Sequence, residues 1–597
     1  MRIFKKFFVV LLVGLLTVSL SACNSSNTTT DSSSIKDGTY TATVDGHNGE
    51  VSVEVVVADQ KIEKVEVTEH GETPIVSDLA ISEIPAKIVE TQSLGIDTVS
   101  GATVTSNAVL EAVALCLTEA GFDVEALKNA SASKDKEDDL VLDVDVVVIG
   151  AGGAGFAAAV TANQEGASVI ILEKQPKIGG NTILSGGAMN AVDEGSETAL
   201  KNKDSVELHY TQTFEGGSEK GNPELIRTLV ENAYSGVEWM QSLGMEFEEE
   251  TFTVLGGMWP RAHKPVEPVG TGFFIAFQNY LDTHENIDLM LNTKAEELIV
   301  EDNKVVGVIA TGETGNKITI NAANGVVMAT GGFSQNIEMR QEYNTLWKDL
   351  GENIKSTNHP GATGDGIKMG LAANAALVGM EYIQLLPMGD PETGSLSGNI
   401  EQGVENRIFV NKEGNRFVDE GERRDVMTAA LIEQPDSIMW TILDSHDYPT
   451  GEEINNFNEK ISDLVKEGRA YKADTLEELA KLIGVDSDNL VNAVSEYNKF
   501  VAGEIEDEFG RTLKQDPIDQ GPYYAALRVP TVHHTMGGLM IDTGAHVLDT
   551  DGNIIPGLYA AGEVTGGIHG ANRLGGNALS DIIVFGRIAG QNVASKK

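Results

Sequence analysis

The chain has 597 residues, of which 41% are hydrophobic, so it can hold several domains with apolar cores of their own. Its formal net charge at pH 7 is −47, which argues against nucleic acids and anionic membrane surfaces as binding partners. It has two cysteines, Cys23 and Cys116, and no C-x-x-C-H segment, so a c-type haem and a cysteine-ligated iron–sulfur cluster are excluded and redox chemistry must use organic cofactors.

The first segment, residues 1–22, has the pattern of a signal peptide: a basic start precedes an apolar run over 7–20 that is too short for a comfortable membrane span. The Leu-Ser-Ala-Cys sequence that ends at Cys23 resembles the lipobox of bacterial lipoproteins. The resemblance implies a lipid on Cys23, export, and anchoring to the outer face of the bacterial cytoplasmic membrane, with residues 23–36 as a flexible tether. The alternative is an ordinary signal peptide with an incidental cysteine.

A small α+β domain is predicted over residues 37–128. The apolar patterns predict three strands and two helices, at 40–44, 51–57, 62–67, 81–91 and about 106–120.

The loop before the second helix has the sequence Asp-Thr-Val-Ser-Gly-Ala-Thr and ends at Thr103. It resembles the D-x-x-[ST]-G-A-T target of the bacterial flavin transferase. The resemblance implies an FMN-binding domain in which that transferase attaches FMN to Thr103 through a phosphoester. The alternative is that the Thr103 hydroxyl only caps the helix.

A dinucleotide-binding fingerprint follows a linker over residues 129–143. A buried strand over 146–149 leads into Gly150, Gly152 and Gly155, which fit G-x-G-x-x-G. The first glycine makes the tight turn, the second admits a pyrophosphate, and the third lets the following helix pack on the strand. The N-terminus of that helix offers N–H groups to the phosphates.

A second strand, over residues 168–172, ends at Glu173, where an acid that binds ribose is expected. A strand over 325–333 should return to the cofactor, and a helix from Asn577 should point its N-terminus at the flavin ring. Further residues expected to contact the cofactor are Lys174, Gly180, Asn181, Thr182, Gly186, Gly187, Gly331, Gly332, Asp365, Gly562, Glu563, Gly576, Asn577, Ala578 and Leu579.

The composition changes after about residue 379, and helical patterns over 454–467, 475–483 and 488–501 predict an inserted domain. The predicted fold is α/β: a small α+β FMN-binding domain, then a Rossmann-like FAD-binding domain interrupted by an α+β cap. The flavoprotein boundaries are 144–380 for the first part of the FAD domain, 381–532 for the cap and 533–597 for the second part.

Several long blocks resemble the flavocytochrome c or soluble fumarate reductase flavoprotein family, which includes urocanate reductases. They lie at 416–425, 533–538, 557–563 and 569–578. The resemblance implies non-covalent FAD and a substrate held between the cap and the flavin. It also implies that electrons enter through the FMN domain from a membrane or extracellular donor.

Reduction of an activated C=C bond needs a hydride, a clamp for the activating carboxylate and a proton donor. Arg573 can grip a carboxylate, and His534 can add a donor. In the resembling family these two positions hold one carboxylate, and Arg424 is the proton donor. The family restores that proton through a Glu and an Arg; Glu401 is expected to supply the Glu, but Val404 stands where the Arg is expected, and Arg407 can replace it only if the loop is rearranged.

Leu386 marks a departure from the family. Relatives that reduce fumarate have a histidine there for the second carboxylate, and leucine cannot donate a hydrogen bond. Leu386 and Met536 are assigned to the substrate pocket, and a small-molecule acrylate with one carboxylate, such as a cinnamate or a urocanate, is the expected substrate. The alternatives are a fumarate reductase proper, a flavin electron carrier without its own substrate, and a ketosteroid dehydrogenase.

Overall fold

The computed structural model describes residues 35–46, 49–72, 77–96, 98–99, 103–128 and 136–595, with only the backbone of Thr103. The predicted signal peptide, Cys23, most of the tether and four residues of the flavin-attachment motif (Asp97, Ser100, Gly101 and Ala102) lie outside these ranges. Within them, no helix has both the length and the apolar character needed to cross a membrane.

The N-terminal domain contains the predicted three-stranded meander. Its elements are β1 (Gly38–Asp45), β2 (Glu50–Ala58), β3 (Lys61–His70), α1 (Asp78–Thr91), α2 (Thr103–Ala120) and α3 (Val124–Lys128). The strands pair antiparallel in the order β1-β2-β3. Every second residue of β2 from Val51 to Val57 is buried, and these valines form one core with the face of α2 that carries Val109, Val113 and Leu117. The helix α2 starts at Thr103, before the predicted residue 106.

The first part of the flavoprotein unit alternates strands and helices. It comprises β4 (Leu140–Ile149), α4 (Gly153–Gln164), β5 (Val169–Leu172), α5 (Gly180–Ile183), β6 (Met189–Asn190), α6 (Glu197–Asn202), α7 (Val206–Gly216), α8 (Pro223–Ser242), β7 (Ala262–His263), α9 (Thr271–Thr283), β8 (Ile287–Met290), β9 (Lys294–Glu301), β10 (Lys304–Thr311), β11 (Lys317–Met328), α10 (Ile337–Tyr343), α11 (Asp365–Ala372) and β12 (Leu377–Val378).

The cap follows and leads back into the FAD domain. Its elements are β13 (Ile383–Gly389), β14 (Ile408–Asn411), α12 (Arg424–Ile432), a 3-10 turn (Pro435–Ser437), β15 (Met439–Leu443), α13 (Ile461–Lys466), β16 (Tyr471–Ala473), α14 (Leu476–Ile483), α15 (Ser487–Ala502) and β17 (Tyr523–Thr535). The chain then forms β18 (Gly538–Met540), β19 (His546–Leu548), β20 (Ile554–Ala560), a 3-10 turn (Gly562–Val564), β21 (Thr565–Gly566) and α16 (Asn577–Ala594).

The predicted Rossmann-like core is confirmed. Five strands lie parallel in the order β20-β11-β4-β5-β8, and β19, β10 and β9 extend the sheet. Gly150 has a φ of +106°, which suits the tight turn assigned to it. A Cβ on Gly155 would lie 1.8 Å from the carbonyl oxygen of Gly150, so only glycine lets α4 pack this closely on β4.

The cap is built differently from its sequence pattern, because a five-stranded sheet, β13-β17-β15-β14 with β16 on β17, forms its centre. The predicted helix over 454–467 is wrong in its first half, and helix α13 begins only at Ile461. Asn455 explains the difference: its Oδ1 accepts hydrogen bonds from the backbone N–H of Phe457 and of Glu459, which fold the segment into a turn. The predicted helices near α14 and α15 are confirmed.

Candidate active site

One continuous cleft runs from the carboxyl ends of the parallel strands to the inner face of the cap. It brings together most of the residues predicted to bind FAD and substrate. These are Gly150, Gly152, Glu173, Lys174, Gly180, Asn181, Thr182, Gly186, Gly187, Gly331, Asp365, Leu386, Glu401, Arg424, His534, Glu563, Arg573, Gly576, Ala578 and Leu579.

The dinucleotide end of the cleft is lined by backbone. An added Cβ on Gly186 or Gly331 would meet no atom within 4 Å, so both glycines face open space that a bound group can fill. Glu173, at the end of β5, accepts hydrogen bonds of 2.9 Å from the N–H groups of Ala151 and Gln175. Burial raises the pKa of its carboxyl group. This arrangement fits the FAD nucleotide, with Glu173 at the ribose position.

Basic side chains line the same end of the cleft. Lys174 Nζ lies 2.6 Å from Asp365 Oδ2, so two of the predicted cofactor residues form an ion pair. Lys177 and His359 also line the cleft, and neither was predicted as a cofactor residue. Burial lowers the pKa of Lys177 to about 8, and burial together with the two lysines lowers the pKa of His359 to about 4.

Five of the predicted residues do not line this cleft within the described part of the chain. Gly155, Gly332 and Gly562 act as spacers, since a Cβ on each would collide with neighbouring protein atoms. The Asn577 side chain bonds to Asn190, His209 and Thr213, and the expected contact of the helix N-terminus with the cofactor stays a prediction. Met536 is buried, and its N–H donates to the Tyr382 carbonyl.

Glu563 organises the flavin end of the cleft. Its Oε1 accepts hydrogen bonds from the N–H and the hydroxyl of Thr535, and its Oε2 accepts one of 3.0 Å from Asn181 Nδ2. His534 Nδ1 lies 3.8 Å from the same Oε2. The carboxylate therefore fixes strand β17 and the glycine-rich segment to each other.

Arg424 and Arg573 converge at the mouth of the cap. Both are buried, and both point at Oε1 of Gln384, at 3.5 Å from Arg424 Nη1 and 3.3 Å from Arg573 Nη2. Gln384 is fixed in turn, because its Nε2 donates to Asn572 Oδ1 and to the Arg573 carbonyl. Sequence reasoning missed Gln384; the available signal was its position two residues before Leu386, on the same face of a strand.

Two glycines make room for Arg424. An added Cβ on Gly256 would lie 2.8 Å from Arg424 Cγ, and one on Gly575 would lie 3.0 Å from Arg424 Nη2. Arg424 Nε donates to the Leu255 carbonyl at 3.1 Å, which orients the guanidinium. Burial, and next the charge of Arg573, hold the pKa of Arg424 well below its ordinary value of 12.5. A guanidinium in this environment gives up a proton more readily than one in water.

Burial also disfavours the charged forms of Arg573 and His534, which together with Arg424 form the carboxylate clamp. Burial lowers the pKa of Arg573 to about 10. Burial, followed by the charge of Arg573, lowers the pKa of His534 well below 6.5, so the imidazole is neutral at pH 7. A neutral imidazole retains one N–H donor for a substrate oxygen.

The loop between Glu401 and Arg407 brings these two side chains into contact. Arg407 Nε hydrogen-bonds to Glu401 Oε2 in an ion pair whose two side chains are 1% and 11% exposed. The charge of Glu401 also acts on Arg424 and favours its protonated form. Val404, which stands at the position expected for the arginine, is buried in an apolar cluster instead.

Leu386 lies in that same apolar cluster, with Leu255, Met388 and Val404. These four side chains form an apolar wall of the cleft. None of them can donate a hydrogen bond to a second carboxylate.

Comparison with known proteins agrees with this geometry. The model of the FAD-binding domain family matches residues 145–579, and the model of the FMN-binding domain family matches residues 46–118. The chain is 39% identical to an NADH:acrylate oxidoreductase of Vibrio harveyi, over 93% of this chain and 61% of that protein. It is 37% identical to a urocanate reductase of Eggerthella lenta, over 93% of this chain and 92% of that protein.

Among solved structures, the open conformation of a flavocytochrome c3 fumarate reductase superposes with a TM-score of 0.61 at 36% identity, over 79% of this chain and 84% of that chain. Fold and site thus define an FAD- and FMN-binding oxidoreductase. The chain belongs to the fumarate reductase-like flavoprotein family, whose members with acrylate, urocanate and fumarate reductase names act on C=C bonds. It spans about three fifths of the Vibrio relative's length.

Proposed function

We propose that this protein reduces the C=C bond of an α,β-unsaturated acid that carries a single carboxylate. The observation that supports the proposal is the composition of the cleft lining. Arg573, His534 and Arg424 line the cleft, and so does the apolar wall around Leu386, whose side chains carry no hydrogen-bond donor. A second substrate carboxylate against that wall would lose its hydration without gaining a donor.

The clamp residues act on the charge that develops during the reaction. When bound, FAD supplies the hydride that reduces the β-carbon of the substrate. Arg573 and His534 hold the carboxylate, where negative charge accumulates as the C=C bond is broken. Arg424 then gives its proton to the α-carbon, because its lowered pKa favours release.

Glu401 and Arg407 are the groups proposed to restore the proton on Arg424. A neutral Arg424 must recover a proton before the next turnover, and Glu401 is the carboxylate whose charge acts on it. Arg407 keeps that carboxylate oriented and supplies protons to it through their direct hydrogen bond. In the family, an arginine three residues after the glutamate has this role. In this protein Arg407, further along the loop, takes it.

A screen of acids against chemically reduced enzyme tests this function. Acrylate, cinnamate, urocanate and fumarate are added under anaerobic conditions, and flavin reoxidation is followed by absorbance. We expect rapid reoxidation by at least one of the three monocarboxylates and slow reoxidation by fumarate. Reoxidation by none of them, with normal transfer to an artificial acceptor, would instead support an electron carrier.

We also propose that the protein is exported, anchored by a lipid on Cys23 and supplied with electrons through FMN on Thr103. The lipobox-like sequence supports the anchor, and the FMN-binding domain supports the entry route. Intact mass of the membrane fraction tests the lipid. A Cys23→Ala protein that stays in the membrane fraction would contradict the anchor.

A further inference from the structure

The loop over residues 454–460 lies across the cap end of the cleft and is tied to the segment that carries Glu401. Asn456 Nδ2 donates to the carbonyls of Glu401 and Gln402, at 3.1 and 2.9 Å. Gln402 Nε2 donates back to the Ile454 carbonyl at 3.1 Å. The loop is therefore a fixed part of the cleft wall.

Phe457 is the side chain that this loop presents to the cleft. It is half-buried and lines the cleft together with Asn456, Leu386 and Val404. Among the described residues of the cap it belongs to none of the apolar core clusters. Its ring is therefore not part of an apolar core of the cap, and it is available to contact a bound substrate.

The charge of this part of the cleft decides which substituent fits. Among the described cap residues that line the cleft, Glu401 is the only carboxylate. It is already neutralised by Arg407 in a buried ion pair. An imidazolium ring would thus find no uncompensated acid to pair with, whereas a neutral aromatic ring can pack on the apolar wall and the Phe457 ring.

We infer that Phe457 is a specificity residue that stacks against a neutral aromatic group on the β-carbon, so that aryl acrylates are preferred over imidazolyl acrylates and over acrylate itself. This inference rests on the proposed reduction of unsaturated monocarboxylates. It assigns the Leu386 wall and Phe457 to the two sides of the aryl ring. The reaction centre at Arg424 and Arg573 is common to all of these substrates.

The test compares kcat/KM for cinnamate, urocanate and acrylate in the wild type, Phe457→Ala and Phe457→Leu. We expect cinnamate to be the best substrate and both variants to lower its kcat/KM by about tenfold or more, the usual effect of removing contacts from an apolar pocket. Acrylate has no β-substituent, so its kcat/KM should change little. Ile454→Ala is the matched control, since that side chain is on the same loop but 55% exposed.

The possible results separate the inference from the proposed function. Preference of the wild type for urocanate, or an equal loss for cinnamate and acrylate in both variants, would overturn the role of Phe457 while leaving the reductase function intact. Failure of the wild type to reduce any unsaturated acid would overturn both. If a variant folds poorly, a binding measurement on the wild type and the remaining variant decides the same question. It compares how strongly cinnamate and acrylate perturb the spectrum of the oxidised flavin.

Discussion

Arg407 pairs with Glu401 from six residues further along the chain, inside the cap, and Glu401 is the carboxylate whose charge acts on Arg424. The family sequence pattern predicts an arginine three residues after the glutamate, and Arg407 pairs with Glu401 in its place. Since Arg407 Nη1 also donates to the Glu420 carbonyl, its guanidinium is fixed in this position.

Loss of Arg407 should slow proton return. We expect Arg407→Ala to lower kcat for the best acrylate by about 10- to 100-fold, within the range of general acid catalysis, with a smaller change in KM. Arg407→Lys should recover part of the rate because it keeps a transferable proton. Arg469→Ala is the control: Arg469 pairs with Asp390 and Glu459, which do not line the cleft, and an equal loss in both alanine variants would refute a relay.

Arg424→Ala should leave FAD bound and reducible but lower turnover by ~10²–10⁴-fold, the usual value of a general acid. Arg424→Lys should keep some activity. Arg573→Ala should raise KM as well as lower kcat, because Arg573 holds the carboxylate before and during the reaction. Steady-state and rapid-mixing kinetics separate these effects. Near wild-type turnover of Arg424→Ala with saturating acrylate would show that the proton comes from another group.

Leu386 should limit the use of fumarate. Replacement by histidine adds a donor at the apolar wall, and a hydrogen bond to a charged group is worth about 1.5–3 kcal/mol. Leu386→His should therefore raise kcat/KM for fumarate by roughly 10- to 100-fold while lowering it for cinnamate. Leu386→Met, which keeps the wall apolar, should leave fumarate a poor substrate. A wild type that already prefers fumarate would contradict the assignment of this wall.

Thr103→Ala should remove covalent FMN without affecting FAD. Electrons from an external donor should then fail to reach the substrate, while chemical reduction should still support turnover. Peptide mass spectrometry of protein made in a host with the flavin transferase measures the attachment, with Thr98→Ala as the control in the same segment. An unmodified Thr103 peptide in the wild type would exclude this attachment site.

His209 should make the protein sensitive to acid. It is buried, and burial and the charge of Arg261 lower its pKa from 6.5 to about 3. As the pH falls below 6.5, His209 takes up a proton in the unfolded chain before it does so in the folded protein. Its contribution to stability is therefore fully present above pH 6.5 and decreases toward pH 3. Between pH 6.5 and 5 the loss from this group is about 2 kcal/mol, at 1.36 kcal/mol per pKa unit.

Thermal unfolding at pH 7 and pH 5 measures the effect. His209→Gln should show a smaller drop in Tm between the two values than the wild type, whatever its absolute stability. His284→Gln, at an exposed histidine, should show the wild-type drop. Equal drops in all three proteins would mean that acid acts through other groups.

The parallel core and the dinucleotide end were predictable because they depend on short-range patterns. The strand, the three glycines and Glu173 lie within one βαβ unit, and each has a local steric or hydrogen-bonding reason. The sheet of the cap was less visible, since β14 and β15 are buried on both faces and carry continuous apolar runs that do not alternate. The false helical start at 454 arose because Asn455 diverts the backbone into a turn.

The clamp arginines and His534 were found through their motifs, and Arg407 was considered as a replacement in the relay, whereas Gln384 was found only in the structure. Gln384 binds Arg573, which is 189 residues away, so no sequence spacing relates them. Arg407 depends on a loop conformation that local patterns do not specify. Long-range hydrogen bonds of this kind are set by the packing of the cap against the FAD domain.

Strand β17 has a consequence for engineering. Its first half pairs with β15 at the centre of the cap, and its last residues pair with β13 and carry His534 and Thr535, which binds Glu563. The boundary at 532/533 therefore falls inside an unbroken strand. A chimaera cut at that point would divide the strand between two parents, and a cap transplanted with the whole strand would bring its donor's histidine. Recombination among relatives can therefore exchange caps only together with His534, one of the two residues proposed to hold the substrate carboxylate.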